Sequence, residues 1–299
     1  MKITVIVLNY GDIENLLRLF DKLKEYHKSK YECGFEISYI IVDNFTSQQV
    51  QHQLSAFVSS IGIPTTLILN SNNIGYGAGN NVAIREAIQN KADYVLLLNP
   101  DLTITYLQWQ EIDLEQLSKC DLFTFRLKNG NLGGSLYTFS PVTFIERKYS
   151  ELKLSIPRSS VPIYPSGACL GIKTDFLLEN GLLSEKLFLY YEEIEYVFRF
   201  MRKTGLFPSV AVLSCAKLIH TIGSTHQKKG VASMANYYSA RSRLLVLNTL
   251  GYFYLPGALF YNLVKVLRLL VACNFAAAKL VLSGTRDGFI NLFQKVKGL

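Results

Sequence analysis

Four short runs of Val, Ile and Leu, separated by helical patterns, dominate the first hundred residues of this chain. The runs are residues 3–8, 37–43, 65–70 and 94–99. Between them the apolar residues recur at helical spacing over about 12–28, 47–59 and about 79–89. Apolar strands that alternate with helices are typical of a parallel sheet covered on both faces. The pattern therefore predicts an α/β fold, with ligands at the carboxyl ends of its strands.

The remainder of the chain divides into a mixed middle and a basic, apolar tail. The middle predicts strands at 121–127 and 166–173, a turn at 129–134 and a helix over 187–205. From residue 231 onward, eight Lys and Arg accompany a single acid, so this part carries +7 of the net charge of +8. We therefore predict a catalytic domain over 1–230 and a helical region over 231–299.

The cysteines and the N-terminus indicate the cellular compartment of the protein rather than a functional site. The five cysteines contain no C-x-x-C pair, so neither a zinc site nor a disulfide framework is expected, and a reducing cytoplasm is the natural compartment. The N-terminal apolar run stops at Asn9, which favours a first strand over a signal peptide.

A glycine-rich turn, SNNIGYGAGNN at 71–81, precedes the third predicted helix. Its glycines follow the order G-x-G-x-G after the third strand, whereas a dinucleotide fingerprint requires G-x-G-x-x-G after the first. The neighbouring asparagines could cap the helix or hydrogen-bond a ribose or a base. The turn is thus either a nucleotide site of another kind or only a flexible start to a helix.

Carboxylates and amides end two of the strands. Asp43 and Asn44 follow the second, and Asn99-Pro100-Asp101 follows the fourth. Each alone is ordinary turn chemistry. Together they place several oxygen ligands on one edge of one sheet, where a phosphate-bound Mg²⁺ or Mn²⁺ could sit.

Six motifs occur in one order: VIVLNY, VDNFTS, N-x-x-N-x-G-x-G-x-G-N-N, LLNPD, SGACLGIK and FLYYEEIEYVFR. In this order they resemble the family 2 glycosyltransferases of the GT-A fold, and among them a bacterial rhamnosyltransferase-like branch that builds surface polysaccharides. The resemblance covers about residues 3–245. It implies a Rossmann-like mixed sheet and an inverting transfer of a sugar, with dTDP-L-rhamnose the favoured donor, to a glycan or polyprenyl-linked acceptor.

The resemblance also assigns a group of positions to the nucleotide sugar: Tyr10, Asp43, Asn44, Asn73, Gly75, Asn80, Asn99 and Asp101. Asp101 would bind a divalent cation, Mn²⁺ or Mg²⁺, and His220 could complete the metal shell. For His220, a polar residue after a strand is the alternative. Asn99 stands where the family's D-x-D motif has an acid, which leaves the strength of metal dependence open.

The family's catalytic base corresponds to Glu193, which would take the proton of the acceptor hydroxyl. Its reference pKa of about 4.3 would keep it ionised at neutral pH. Gly167, Ala168 and Glu192 would lie near the donor or acceptor sugar, because small residues admit a ligand. Without the resemblance, the EEIE stretch would be a solvated helix face.

Two pairs of charged residues near these motifs need a separate interpretation. Glu195 and Arg199 are four residues apart, so they are expected to form a structural ion pair. Arg241 and Arg243 stand where the family often has an aromatic-arginine helix near the diphosphate. A solvated basic helix face explains these two arginines equally well.

The tail predicts a peripheral membrane helix. At 100° per residue, Lys265, Arg268, Lys279 and Arg286 would fall within a sector of about 60° if one helix persisted past Gly284. A basic stripe opposite an apolar face is typical of a helix on an anionic membrane surface, here the inner face of the membrane. The same charges interrupt any apolar run of about 18 residues, so a spanning helix is not expected. A helical hairpin packed on the body, or on a second copy in a homodimer, is the alternative, and nucleic acid is not an expected partner.

Two other functions stay open at this point. A sugar nucleotidylyltransferase would need a glycine-rich, basic loop after the first strand, which NYGDIENL lacks. A catalytically weak, membrane-associated scaffold of the same fold would retain the motifs without the chemistry.

Overall fold

The computed structural model describes residues 1–27, 36–128, 134–149, 155–220 and 231–294. Its first half contains, in chain order, β1 (Lys2–Asn9), α1 (Ile13–His27), β2 (Glu36–Asp43), α2 (Gln48–Ser60), β3 (Thr65–Leu69), α3 (Tyr76–Gln89), β4 (Tyr94–Leu98), β5 (Leu102–Leu107), α4 (Leu114–Ser118) and β6 (Leu122–Lys128). The second half contains β7 (Leu136–Ser140), β8 (Ile145–Lys148), β9 (Ser155–Ile156), β10 (Ile163–Pro165), β11 (Cys169–Lys173), α5 (Thr174–Asn180), α6 (Glu192–Thr204), β12 (Val210–His220), α7 (Val231–Leu245), α8 (Leu247–Leu250), α9 (Leu255–Val271) and α10 (Phe275–Gln294).

The central sheet has the order β3-β2-β1-β4-β11-β6-β12-β5, and β9 also pairs with β12. The first four strands along this order are parallel, as are β6 and β12, whereas β11 is antiparallel to both of its neighbours and β5 to β12. Apolar side chains of α1 pack on one face of the sheet, and those of α3 and α6 pack on the other. The predicted mixed, mostly parallel sheet flanked by helices is confirmed.

Three predicted boundaries differ from those observed. Helix α3 begins at Tyr76, three residues before the predicted start, and β11 begins at Cys169 rather than at 166. Helix α6 begins only at Glu192, because Tyr190 and Tyr191 before it have positive φ angles of 69° and 74° and cannot continue a right-handed helix. The turn predicted at 129–134 lies, except for its last residue, outside the described residues.

A second, three-stranded sheet with the order β10-β7-β8 lies between β6 and β11 in the chain. Its aromatic residues Phe139 and Phe144 pack edge to face on each other, and Phe139 packs in the same way on Tyr191 and Phe198. This small sheet therefore covers the start of α6. The sequence did not predict it.

The tail is a helical hairpin rather than one long helix. Helix α9 ends at Val271, Cys273 has a φ of 53°, and α10 begins at Phe275. Lys265 and Lys279 therefore lie on different helices, so the predicted single basic stripe is wrong.

Gly284 does not interrupt α10. It lies inside this helix, against α7, where an added Cβ would come within 2.2 Å of the Tyr237 carbonyl oxygen. Gly288, one turn later, faces the Arg241 carbonyl in the same way, at 2.8 Å. These glycines let α10 approach the backbone of α7 closely.

The 20 residues of Tyr252–Val271 form a helical stretch long and apolar enough to cross a membrane, by length and composition only. We expected the charges of Lys265 and Arg268 to interrupt every apolar stretch of this length. By length and composition that expectation is wrong, because this stretch contains both residues. One such helix is weak evidence for a span, since core helices of soluble proteins pass the same test, although only 17% of this one is buried.

Candidate active site

Asp43 ends β2 as a fully buried carboxylate with a complete set of donors. Its Oδ1 accepts hydrogen bonds from Asn9 Nδ2 at 2.9 Å and from the Thr46 hydroxyl at 2.8 Å. Its Oδ2 accepts from the Thr46 backbone N–H and from Gln51 Nε2, both at 3.2 Å. These bonds hold the ends of β1 and β2 together. Contact between Asp43 and a nucleobase stays a prediction.

Asn44 fixes the asparagine-glycine turn. Its Nδ2 donates to Asn73 Oδ1 at 2.8 Å and to the Gly75 carbonyl at 3.1 Å, and its Oδ1 accepts from Asn70 Nδ2 at 3.0 Å. Asn80, predicted to line the donor, is buried and donates to the Tyr76 carbonyl at 3.0 Å. The amides of this turn are thus bonded to one another and to the backbone.

The three glycines of the turn are explained by close packing. Gly75 has a φ of 91°, and an added Cβ there would lie 2.6 Å from the Phe188 carbonyl oxygen. The equivalent atoms would lie 2.5 Å from the Ser184 carbonyl at Gly77 and 2.7 Å from Leu8 Cδ1 at Gly79. The Tyr76 N–H at the start of α3 donates to the Phe188 carbonyl at 2.6 Å. Protein backbone thus occupies the position where a dinucleotide phosphate would sit.

Asp101 and His220, the two positions that the resemblance implies as metal ligands, lie side by side. Asp101 directly precedes β5, and His220 is the register partner of Leu102, the first residue of β5. Asp101 Oδ1 is 3.3 Å from His220 Nε2, without hydrogen-bond geometry, and this buried oxygen has no hydrogen-bond partner among the described residues. The two side chains are 11% and 18% exposed, respectively.

An unpartnered carboxylate oxygen beside an imidazole nitrogen fits a divalent cation, because buried polar atoms are otherwise hydrogen-bonded. The described residues contain no group of three or more His, Cys, Asp and Glu that could hold a metal alone. Phosphate oxygens and water would have to supply the remaining ligands of the cation, as is usual for Mg²⁺.

Glu193 is mostly buried, and its carboxyl lies directly against Gly167. A Cβ added at Gly167 would fall 1.5 Å from Glu193 Oε1, so only glycine leaves room for this carboxyl. Burial, and secondarily the charge of Glu146, raises the pKa of Glu193 to about 7, although a backbone hydrogen bond from Gly167 opposes the rise. The expectation of an ordinary pKa is therefore wrong. The expected reason for Gly167, access for a ligand, is also incomplete, because this glycine first admits a protein side chain.

Glu192 is the second carboxyl of this site. It is 3% exposed, its Oε1 has no hydrogen-bond partner among the described residues, and burial together with the charge of Glu193 raises its pKa well above the usual range. Glu195 is also buried, with Arg199 at 3.6 Å as predicted. The alternative of a solvated helix face is thus wrong for both Glu192 and Glu195.

The backbone at 167–168 joins the two parts of the site. The Asn99 N–H donates to the Ala168 carbonyl at 2.9 Å, and the adjacent Gly167 contacts Glu193. The turn that carries Asp101 and the carboxyl of Glu193 therefore contact the same short segment, directly before β11. The Tyr76 hydroxyl donates to the Gly167 carbonyl at 2.8 Å, which links the glycine turn to this segment.

The segment before α6 carries a feature that the sequence analysis missed. Phe188, Tyr190 and Tyr191 all have positive φ angles, and such angles in non-glycine residues cluster at functional sites. The Ser242 hydroxyl of α7 lies 2.8 Å from the carbonyls of both Leu187 and Leu189. Helix α7 thus fixes the left-handed segment that directly precedes Glu192 and Glu193. The sequence here is an aromatic run that also suits a helix, so it gave no sign of the left-handed backbone.

The two arginines of α7 differ in their surroundings. Arg243 is 3% exposed and donates to the Tyr191 hydroxyl at 2.6 Å and to Asn262 Oδ1, so its guanidinium joins α6, α7 and α9. The alternative of a solvated face is wrong for Arg243, and these contacts favour a structural role over diphosphate binding. Arg241 is partly exposed and lines a pocket.

Tyr10, predicted to contact the nucleobase, is 49% exposed at the end of β1. The Tyr10 hydroxyl is close enough to Tyr238 of α7 to contribute to a raised pKa of that residue, after burial, the larger cause. The middle of α7 therefore lies near Tyr10, which follows β1.

Comparison with known proteins adds a sequence relative and a fold. No protein-family model matches the chain. The chain is 24% identical over 258 residues to the low-salt glycan biosynthesis hexosyltransferase Agl10 of Haloferax volcanii, an alignment that covers 83% of this chain and 76% of the relative.

Two solved structures share the architecture. GalNAc-T7 with UDP, GalNAc and Mn²⁺ matches with a TM-score of 0.58 at 12% identity, over 82% of this chain and 51% of that chain. The S. aureus protein TarS matches with a TM-score of 0.50 at 17% identity, over 83% of this chain and 66% of that chain. The chain thus spans about half and about two thirds, respectively, of these two structures. The likenesses show that this chain has the fold of the GT-A glycosyltransferases.

Proposed function

We propose that this chain is an inverting, metal-assisted glycosyltransferase that transfers a hexose from a nucleotide diphosphate donor to a glycan or lipid-linked acceptor. The observation that carries the proposal is that the turn before Asp101 and the carboxyl of Glu193 both contact the segment 167–168, while Asp101 lies beside His220. The hexosyltransferase relative, and the UDP and Mn²⁺ bound in GalNAc-T7, support it. Membership of family 2, and of its rhamnosyltransferase-like branch with dTDP-L-rhamnose as donor, is part of the same proposal.

Glu193 would act as the base of the reaction. Its carboxylate takes the proton of an acceptor hydroxyl as that oxygen forms a bond to the anomeric carbon of the donor sugar. The bond from this carbon to the diphosphate breaks on the opposite side, and its electron pair leaves with the nucleoside diphosphate. A pKa of about 7 suits the task, because a base is most effective when its pKa lies near the working pH.

Asp101 and His220 would hold the divalent cation, which offsets the negative charge of the leaving diphosphate when it is bound. The Oε1 atom of Glu192, buried and without a hydrogen-bond partner among the described residues, would accept a hydrogen bond from a sugar hydroxyl. Gly167 and Ala168 would shape the cleft. The donor site would be shaped by residues at the strand ends and in the glycine turn with its helix: Tyr10, Asp43, Asn44, Asn73, Gly75, Asn80 and Asn99.

The tail would attach the enzyme to the inner face of the membrane. Large apolar side chains are strongly exposed on and before the helical hairpin, at Phe253 (88%), Val271 (86%), Phe260 (68%) and Phe275 (65%). Exposed apolar patches of this kind mark membrane or protein contacts, and the exposed Arg268 and Lys279 favour an anionic membrane surface over a second copy.

The test of the transfer reaction is the release of nucleoside diphosphate from a panel of nucleotide sugars, with and without Mn²⁺. We expect Glu193→Gln to lower the release by about 10²-fold or more, the usual contribution of a general base. Glu115→Gln, at an exposed glutamate on α4, is the matched control and should retain wild-type activity. Equal activity of the two variants would contradict the assignment of Glu193, and a wild type inactive with every donor would favour a scaffold.

Cation binding and membrane binding have their own measurements. Titration of Mn²⁺ followed by electron paramagnetic resonance should show weaker binding in Asp101→Asn, independently of activity. Flotation with anionic liposomes should be reduced by high salt and by Phe260→Asn. Equal flotation of the full chain with neutral and anionic liposomes would contradict the electrostatic part of the membrane proposal.

A further inference from the structure

A cationic surface lies on β6 and β12 of the central sheet. Arg126 and Lys217 are register partners in this parallel pair of strands, and both side chains are exposed. Lys128, two residues after Arg126, is also exposed. It lies on the same face of β6, because successive side chains of a strand point to opposite faces. We call these three residues the β6–β12 cationic face.

The two faces of these strands have opposite surroundings. Leu127 and Leu218, which point away from the cationic face, are buried in the core cluster that includes the apolar residues of α1. On the cationic side, Ile219 is 37% exposed between the charged residues. The sheet is therefore covered on one side at this point and open to solvent on the other.

The cations of this face form no ion pair within 4 Å with any Asp or Glu that the structure describes. The ammonium of Lys217 lies 5.8 Å from the centroid of the Tyr106 ring, and the Tyr106 hydroxyl donates to Glu111. Like charges on paired residues of neighbouring strands repel each other. The pair of Arg126 and Lys217 therefore costs stability unless an anion lies over it.

The chain next to the cationic face adds no carboxylate to it. The segments that directly follow β6 and β12 in the sequence, 129–133 and 221–230, contain no Asp or Glu. An anion that pairs with these cations would thus come from a ligand rather than from these segments.

Hydrogen bonds connect the cationic face to the segment that contacts the candidate base. The Leu127 N–H donates to the Ser135 hydroxyl at 2.8 Å, and the Ser166 N–H donates to the Ser135 carbonyl at 3.0 Å. Ser166 directly precedes Gly167, and β12 ends at His220. The face therefore borders both parts of the candidate active site.

The position of the face suits an acceptor better than a nucleobase. In the sheet order, β4 and β11 separate β6 and β12 from β1, β2 and β3, where the predicted nucleobase contacts lie. In an inverting displacement the acceptor and the leaving diphosphate lie on opposite sides of the anomeric carbon. The donor diphosphate is the other anion that could reach these cations, because β12 ends at His220, and the experiment below separates the two.

We propose that the β6–β12 cationic face binds an acceptor glycan that carries carboxylate or phosphate groups. The proposal rests on the proposed glycosyl transfer and narrows its acceptor to an anionic glycan. Exposed cations attract an anionic chain from solution, and salt weakens this attraction. One anionic group over Arg126 and Lys217 would also relieve their mutual repulsion, while a neighbouring sugar of the same chain reaches Glu193.

The test measures binding to the full chain by isothermal titration calorimetry, with two matched pairs of probes. The first pair is an oligogalacturonate and its methyl ester, and the second is a phosphomannan and an unphosphorylated mannan. We expect an anionic probe to bind about tenfold more tightly than its neutral counterpart, and this difference to shrink as salt is added. The pair with the larger difference identifies carboxylate or phosphate as the recognised group.

Variants locate the binding on the molecule. Arg126→Gln combined with Lys217→Gln should weaken binding of the anionic probe about fivefold or more, because two exposed charge pairs are lost. Arg18→Gln combined with Lys24→Gln makes the same charge change at exposed positions of α1, on the other side of the sheet, and should leave binding unchanged. Urea denaturation should show that the first double variant is as stable as the wild type, since its two exposed cations repel each other.

Four results would overturn the proposal. They are equal affinity for the charged and neutral members of both pairs, equal binding by the two double variants, displacement of the anionic probe by UDP with Mn²⁺, and tighter binding of oligothymidylate than of either anionic glycan. Displacement by UDP would assign the cations to the donor, and preference for oligothymidylate would assign them to nucleic acid.

The outcome is separable from that of the proposed reaction. Glu193→Gln should bind the anionic probe as the wild type does, since binding needs no turnover. Loss of charge-dependent binding in a protein that still releases nucleoside diphosphate overturns only the anionic acceptor. Charge-dependent binding by a protein that releases none from any donor overturns only the transfer reaction.

Discussion

Asp43 and Glu192 are both buried carboxyls beside the predicted donor site, but their surroundings are opposite. Asp43 accepts four hydrogen bonds, which come from the end of β1, from the loop between β2 and α2, and from the first turn of α2. Glu192 has an oxygen without any partner among the described residues and lies beside a second carboxyl, Glu193. A buried carboxyl with a full set of hydrogen-bond donors stabilises the fold. A buried carboxyl that lacks them is typical of a functional site. The predictions below test this difference.

The largest effect is expected from Gly167→Ala. The added Cβ would overlap the Glu193 carboxyl, at 1.5 Å from Oε1, so this carboxyl must move away from the reacting hydroxyl. We expect the turnover number for nucleoside diphosphate release to fall by about 10²-fold, because general-base catalysis depends on position. Donor affinity, measured by calorimetry, should change much less.

Gly134→Ala is the matched control, because a Cβ there would meet its nearest neighbours at an ordinary distance of 3.7 Å. It should retain wild-type turnover. A fully active Gly167→Ala would show that Glu193 needs no fixed position, and it would remove the main geometric support for its role as the base.

The stability of two conservative variants tests the comparison itself. Asp43→Asn replaces one acceptor oxygen with an NH₂ group that faces existing donors, so we expect the free energy of unfolding to fall by about 2 kcal/mol. Glu192→Gln removes an acid whose raised pKa lowers stability as the pH rises, so we expect no loss in the free energy of unfolding at pH 7. Urea denaturation at pH 7 measures both. Equal losses in the two variants would mean that Glu192 is as structural as Asp43.

The sequence predicted the part of this site that depends on local pattern. Strands β1 to β4 follow from apolar runs, and the residues that end them follow from those runs, so Asp43 and Asp101 were located correctly. The proximity of Asp101 and His220, 119 positions apart, depends on the pairing of β5 with β12. It was inferred only through a resemblance, because no local period encodes which strands pair.

Features set by tertiary contact could not be predicted from the pattern. The left-handed residues before α6 occur within an aromatic run that suits a helix, and their conformation is held by α7 and by the small sheet. The contact of Gly167 with Glu193 joins two segments whose approach no local pattern encodes. The helical period of the tail likewise suited one helix, and only the left-handed Cys273 divides it into two.

The smallest predicted effect concerns the pH dependence of the rate. Glu193 must be deprotonated to act as a base, so the turnover number should rise through an apparent pKa of about 7 rather than near 4.5. Burial is the main cause of the raised pKa and the charge of Glu146 a secondary one. Glu146→Gln should therefore move the midpoint of the pH–rate profile to a lower pH without returning it to 4.5, whereas Glu115→Gln should not move it.

The same raised pKa has a consequence for stability, with a definite sign. The folded state binds the proton of Glu193 more tightly than the unfolded state, so its contribution to stability is complete below about pH 4.5 and declines as the pH rises to about 7. Urea denaturation of the wild type should show this decline, and Glu193→Gln, which cannot ionise, should reduce it. Glu192 contributes a decline of the same sign, which the Glu192→Gln variant isolates. A decline that persists unchanged in both variants would place the titrating group elsewhere and leave Glu193 without a perturbed pKa.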